Sequence, residues 1–511
     1  APSVTTVEKA VSARTYFETY YNGLLNRPSG RAARQVELEA MLQACKNDAE
    51  RAEMRKEWSK LETQYLRELR AKVGISSFQR IKTIGRGAFG VVQLVQERKS
   101  GQVYAMKCLK KQDMLRREQE AHVKAERDAL AAASDRGRWI TKLEYSFQDT
   151  DYLYLVMEHM PGGDLLSLLI DHDIFEESMA KFYAAEMILA IEEAHNMGYI
   201  HRDIKPDNFL FNGQGHIRLS DFGLSTDLSW EHDAKYYQLQ RKDLLRRTGI
   251  DLLEGDTIDR RRGQLVNQAM TVEELPTTHQ MSWRNDHRRH LAYSCVGTNS
   301  YMSPEVITGE GYSWSCDWWS LGIIIFEMLY GFPPFSCKTR HATRMKILGY
   351  KDTLWFPESK RVSGNARHLI KGLLCDRHQR LGSPRRPSRS RFQRQSMQQP
   401  FSASQRHETV KECVQDIKNH PWFRGIDWEN LHLADAPFRP RVSGPFDTRY
   451  FEEPSRDETL APAGGKQKEP ERARDIMLRD KTHGAAIMHI RKENAFKGYT
   501  YRGKRRMPIK P

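Results

Sequence analysis

The stretch "HRDIKPDN" occupies residues 201–208 and brings His201, Arg202, Asp203, Lys205 and Asn208 close together. Such a string is weak ground for a fold by itself. It is followed by "DFG" at 221–223 and "SPE" at 303–305, and preceded by "GRGAFGVV" at 85–92 and "YAMK" at 104–107. The three glycines Gly85, Gly87 and Gly90 form a GxGxxG, a pattern that also opens helices in dinucleotide folds. Here β-type residues flank it on both sides, and Val92 lies just beyond the last glycine. That context reads as a hairpin whose amides approach phosphates closely because no Cβ intervenes. Lys107 follows on the next strand, where a lysine is more often a surface residue than a catalytic one. Any one of these short strings arises easily by chance; the ordered set does not.

The texture around the set is that of two lobes. From Phe78, "FQRIKTIGRGAFGVVQLVQERKSGQVYAMKCLKK" alternates short β-rich runs with glycine punctuation, which predicts a meander of antiparallel strands. Past residue 165 the pattern is mainly helical, as in "MAKFYAAEMILAIEEAHNMG". Strands followed by helices predict a bilobal α+β unit over residues 78–423. Two polar segments interrupt it, 227–292 and the Ser/Arg/Gln-rich 384–410, and segments this long are functional or unstructured. Residues 424–511 form a tail. Ahead of the unit, residues 1–76 read as a helical segment. Tyr16, Phe17, Tyr20, Tyr21, Leu24 and Leu25 share one face. After "NRPSG", Val36, Leu38, Met41, Leu42, Trp58, Leu61, Tyr65, Leu66 and Leu69 continue a helical pattern, with Arg31, Arg34, Arg51, Arg55 and Lys56 between them.

The composition narrows the class. An apolar share of 39% and a charged share of 29% over 511 residues suit a globular protein with hydrated extensions. No apolar run is long enough for a membrane span. The start, "APSVTTVEKA", has no apolar stretch, so no secretion leader is expected. Seven cysteines without a CxxC pair predict reduced thiols, an intracellular setting and no zinc site. The net charge of +15 invites a nucleic-acid reading, but no nucleic-acid motif accompanies it. The excess gathers at 260–262, 284–289, 385–394 and 502–506, in expected loops and tails.

The ordered set resembles the signature of eukaryotic protein kinases. That resemblance implies ATP as co-substrate, Mg²⁺ as cofactor and protein substrates. The glycine-rich hairpin, Ile84, Gly85, Arg86, Gly87, Ala88, Phe89, Gly90 and Val92, would cover the nucleotide. Lys107 would hold its phosphates and pair with Glu126 of "AERDAL". Asn208 and Asp221 would ligate the metal, Asp203 would orient the substrate hydroxyl and accept its proton, and Lys205 would contact the γ-phosphate. "LVMEHMPGGD" resembles the hinge, with Met157 as gatekeeper, Glu158 and Met160 facing adenine through their backbones, and Asp164 near the ribose. Asp164 and Asp207 are candidates for attracting a basic residue upstream of the acceptor. A scaffold with a kinase fold but no activity would lack Lys107, Asp203, Asn208 or Asp221, and all four are present.

"AERDAL", "GGDLLSLL", "KPDN" and the tail are similar to AGC-class serine/threonine kinases, and within them to the NDR/LATS family. The resemblance implies a Mob-type coactivator at the basic N-terminal helices and an autoinhibitory basic stretch before "RRHLAYSCVGT", with Ser294 phosphorylated. It also implies a hydrophobic motif, "FKGYTY", in which Thr500 is phosphorylated by an upstream kinase. Phe496, Tyr499 and Tyr501 would dock beside the Glu126 helix. Work in morphogenesis or division is implied, in the cytoplasm, nucleus, cell cortex or division site. "GTNSYMSPE" departs from the family at Asn299, Ser300 and Ser303, and "YFEE" departs at the tail element that would bring Phe451 to adenine. "NFLF" resembles fungal mitotic-exit kinases, whereas "CDWWSLG" and "DTRYFEE" resemble polarity kinases.

Overall fold

The computed structural model describes residues 30–87, 90–227, 298–308, 314–383, 403–451 and 473–503, with short internal gaps, and scattered positions within 3–17. Ser294, Ala88, Phe89, residues 228–297 and 384–402, and the aromatics Tyr16, Tyr20 and Tyr21 lie outside the described residues.

Two helices, α1 (Gly30–Ala44) and α2 (Asp48–Arg70), pack against each other. The sequence pattern runs through residues 45–47 without a stop, but the chain breaks there. Asn47 explains the break: its Oδ1 accepts from Ala49 N at 3.0 Å, the kind of bond that starts a new helix. Arg34 donates to both oxygens of buried Glu62, at 3.0 and 2.8 Å. Arg51 donates through Nε to Leu42 O and Cys45 O, at 3.1 and 3.0 Å. Both arginines were expected to face a coactivator. They instead bolt the helices together, because a planar guanidinium satisfies several acceptors at once. Arg55 remains exposed.

Five strands follow as an antiparallel sheet: β1 (Phe78–Gly87), β2 (Gly90–Glu97), β3 (Val103–Lys110), β4 (Leu143–Gln148) and β5 (Tyr152–Glu158), in the order β1-β2-β3-β5-β4. Adjacent residues face opposite ways, as strand geometry requires. Val95 and Met106 join Phe78, Tyr145, Phe147, Tyr154 and Val156 on one face. Their neighbours Leu94 and Ala105 join Ile84 on the other. Between β3 and β4 lie α3 (Lys111–Arg116) and α4 (Glu120–Arg136), the latter fixed by buried Val123, Ala129, Leu130 and Ala133.

The second lobe is mainly helical. α5 (Leu165–His172) starts at an Asp164 cap, whose Oδ1 accepts from Ser167 N at 2.8 Å. α6 (Glu177–Asn196) and α7 (Ser315–Tyr330) pack together, and every side chain of α7 is buried. A helix apolar nearly all round belongs in a core. The hairpin β6 (Phe209–Phe211) and β7 (Ile217–Leu219) sits between α6 and the sheet-bearing lobe. Far along the chain, α8 (Gly484–Asn494) packs on α3, and β8 (Tyr501–Arg502) pairs with β4 to complete a six-stranded sheet.

Candidate active site

The cleft between the lobes gathers residues that are far apart along the chain. Lys107 points from β3 and donates to Glu126 Oε1 at 2.7 Å and Asp221 Oδ1 at 3.0 Å. Burial alone would lower the Lys107 pKa, but Asp221 and Glu126 outweigh it and hold the ammonium charged. Attraction from Lys107 brings the Asp221 carboxyl down to about 2 against the opposing effect of burial. Burial pushes the Glu126 carboxyl upward, countered by Lys107. The ionised Asp221 is therefore a hard oxygen donor at the cleft.

Asp203 stands nearby with Lys205, whose Nζ lies 2.9 Å from Asp203 Oδ2. Asn208 donates from Nδ2 to Asp203 O at 2.7 Å, which turns its amide oxygen the other way. His201 ties this loop to the next one. Its Nδ1 accepts from Asp203 N at 3.3 Å, so the proton resides on Nε2, which donates to Ser220 O at 3.0 Å. The ring also packs edge-on against Phe222 at 4.7 Å. Arg202 and Asp221 adopt left-handed backbone conformations, with φ of 64° and 58°. Such strain in non-glycine residues clusters at functional sites and needs firm support. At Arg202, Asp317 in α7 supplies it, accepting from His201 N (3.0 Å), Arg202 N (2.8 Å) and His195 Nε2 (2.8 Å). Burial would raise the Asp317 pKa, yet these donors bring it below the ordinary carboxylate value.

The glycine-rich hairpin forms the roof. β1 and β2 pair down to Gly87 opposite Gly90. A Cβ on Gly90 would lie 2.0 Å from Cys108 O, so this position excludes any side chain. Ile84, Val92 and Ala105 meet Phe451 from the tail, the ring left in doubt by "YFEE". Its ring stacks on His159 of the hinge at 5.8 Å. Met157 packs on the main core from the cleft side. Glu158 pairs through its carboxylate with Arg218, and its N–H donates to Lys142 O at 3.0 Å. Met160 is buried one residue beyond His159.

An acidic wall faces the cleft floor. Burial raises the Asp164 carboxyl to about 6, and Asp207 beside it adds to the rise. Burial raises Asp207 as well. Glu327 of α7 is pushed up to about 7 by burial, although Tyr301 donates to it at 2.6 Å. Neither Glu327 nor Asp317 was legible as functional in the sequence. Asp317 lies more than a hundred residues from its partners and Glu327 lies 26 from Tyr301, and the signal for each is an acidic residue inside an otherwise apolar helix.

The family described as "Protein kinase domain" matches residues 78–242 and 280–402, more than half of the chain. The chain belongs to the protein kinases. Within them it belongs to the AGC-class NDR/LATS serine/threonine kinases. A "Serine/threonine-protein kinase CBK1" of Pneumocystis carinii is 41% identical over 450 residues, covering 88% of this chain and 81% of that protein. The cbk1 kinase of Emericella nidulans is 39% identical, over 89% of this chain and 57% of its own length. That of Candida albicans is 39% identical, over 98% and 63%. The chain thus spans roughly three-fifths of the length of these last two kinases.

Two rings of "FKGYTY", Phe496 and Tyr499, pack beside α4. Phe496 and Tyr499 are fully buried in the main core, while Thr500 is exposed. Gln148 donates to Phe496 O at 2.7 Å, and Ser146 to Tyr499 O at 2.6 Å. Arg127, the residue after Glu126, donates to Gly498 O at 2.7 Å and stands over the Tyr499 ring at 5.7 Å.

Proposed function

We propose that this chain transfers the γ-phosphoryl group of ATP to serine and threonine hydroxyls of proteins. The observation that carries the reading is the cleft cluster itself: Lys107, Glu126 and Asp221 in one ion-pair array, with Asp203 and Lys205 beside it. Phosphoryl transfer asks a protein mainly for alignment and charge neutralisation. Lys107 would hold the α- and β-phosphates, and Lys205 the γ-phosphate. Asp203 would accept the proton of the attacking hydroxyl.

A carboxylate and an amide oxygen are the donor types that suit Mg²⁺, and Asp221 and Asn208 supply them. The bound metal would neutralise charge on the phosphates. Ile84, Val92, Ala105 and Phe451 offer an apolar slot for a purine base, and the Glu158 and Met160 backbones would line its edge. Asp164 remains available to a ribose or to a substrate cation through the oxygen that does not cap α5.

The acidic wall supports substrates with a basic residue upstream of the acceptor. Asp164, Asp207 and Glu327 would attract it once ionised. Control would come from phosphorylation of Ser294 in the activation segment and of Thr500 by an upstream kinase, and from restraint by residues 255–290. A Mob-type coactivator would bind the N-terminal helices through exposed residues such as Arg55, since Arg34 and Arg51 are engaged within the helix pair. A role in morphogenesis or division, inside the cell, follows from the family resemblance. Purified chain should phosphorylate Ser/Thr peptides in an ATP- and Mg²⁺-dependent manner, faster with a Mob partner. A chain that binds ATP yet transfers no phosphate with its partner present would point to a scaffold.

A further inference from the structure

The tail turn Thr448–Phe451 touches β1 at both of its ends. Phe451 meets Ile84 in the apolar slot, while Lys82 donates from Nζ to Thr448 Oγ1 at 3.1 Å. The turn is closed by Phe451 N donating to Thr448 O at 3.0 Å, so the position of one residue dictates that of the other. Tyr450, between them, is anchored to the opposite lobe. Its OH accepts from Arg441 N at 2.8 Å, its ring packs edge-on against Phe438, and its backbone lies close over Gly163. Beside the turn, an open cavity of about 650 Å³ is lined by Lys82, Phe446, Thr448, Arg449 and Phe451. The bond from Lys82 adds a polar tie between the turn and the sheet to the packing of Phe451 on Ile84 and His159.

We propose that Lys82 is a positioning residue for the nucleotide: through Thr448 it holds Phe451 against the slot that receives the purine base. The inference rests on reading that slot as the ATP site. Lys82, in the middle of β1, is not among the residues assigned to the phosphates, so its loss should weaken ATP binding selectively. Loss of one such hydrogen bond corresponds to about a three- to tenfold change in affinity.

The test compares Lys82→Met, Thr448→Val, the double variant and Lys82→Arg, with ATP and peptide varied separately. Each single variant should raise the KM for ATP about three- to tenfold, with kcat and the peptide KM within twofold. The double variant should be no worse than either single one, because both break the same bond. Lys82→Arg, which keeps a donor of similar reach, should restore most of the affinity. An unchanged KM for ATP in both single variants would overturn the proposal. So would a parallel fall in kcat, peptide KM and thermal midpoint that Lys82→Arg fails to rescue. Equilibrium titration of the parent chain with a fluorescent ATP analogue separates the two levels: no binding there would overturn the kinase reading itself.

Discussion

Glu126 and Arg127 are neighbours on α4 and serve two regions built on different physics. Glu126 turns into the cleft, 3% exposed, and meets Lys107. Arg127 turns to the tail and meets backbone oxygens of Gly498 and Tyr499. The cleft is a set of charges brought close and kept ionised, where a misplaced partner leaves a buried charge uncompensated. The tail groove is held by two buried rings and by donors from Gln148, Ser146 and Arg127 to main-chain oxygens. Charged clusters fail sharply, and apolar docking fails by degrees. One helix carries both, so docking of the tail is expected to bias the cleft, a proposal that the measurements below test.

The largest effects belong to the cleft. Asp203→Asn and Lys107→Ala should each lower kcat by about a thousandfold or more, with the fold retained by circular dichroism. Near-parent activity of either in single-turnover assays would remove that residue from the role given to it. Glu126→Gln keeps the shape but removes the charge that fixes Lys107. A loss of about ten- to a hundredfold is expected, larger at saturating peptide than any change in peptide KM.

How much of this could be read from the chain follows the same division. The cleft was legible because its chemistry comes in short strings of fixed spacing: His201 to Asn208, Asp221 to Gly223, Gly85 to Gly90. The rings of "FKGYTY" were legible as well, since buried aromatics are out of place in a polar tail. Contacts spanning more than a hundred residues were not. Nothing local marks Asp317 as a partner of His201, or Thr448 as a partner of Lys82. The bonds Arg34 and Arg51 make across the helix pair were not legible for a related reason: an arginine on an amphipathic helix reads alike whether it meets a coactivator, solvent or an acceptor on the neighbouring helix.

The groove should respond more gently than the cleft. Each buried ring contributes about 1.5–3 kcal/mol, part of which is spent in ordering the tail. Phe496→Ala should reduce turnover about tenfold, and Thr500→Ala less. Their combination should cost less than the sum, because both act through one docking event. Strict additivity would mean the two residues act separately. A smaller effect is expected at the acidic wall. Raised carboxyls are protonated below their pKa, so Asp164 near 6 and Glu327 near 7 gain negative charge as pH rises from 6 to 8. The KM of a peptide with an upstream arginine should fall severalfold over that range, and that of its alanine counterpart should not. Equal pH profiles for the two peptides would remove the wall from substrate recognition.

The shared helix itself is open to direct measurement. Hydrogen exchange of residues 120–136 should be compared between the parent and Phe496→Ala, both with the active cleft residues intact. If tail docking steadies α4, exchange across that segment should accelerate in the variant together with exchange at 484–503. Faster exchange at 484–503 with residues 120–136 unchanged would show that groove and cleft stand apart, and would contradict the coupling drawn here.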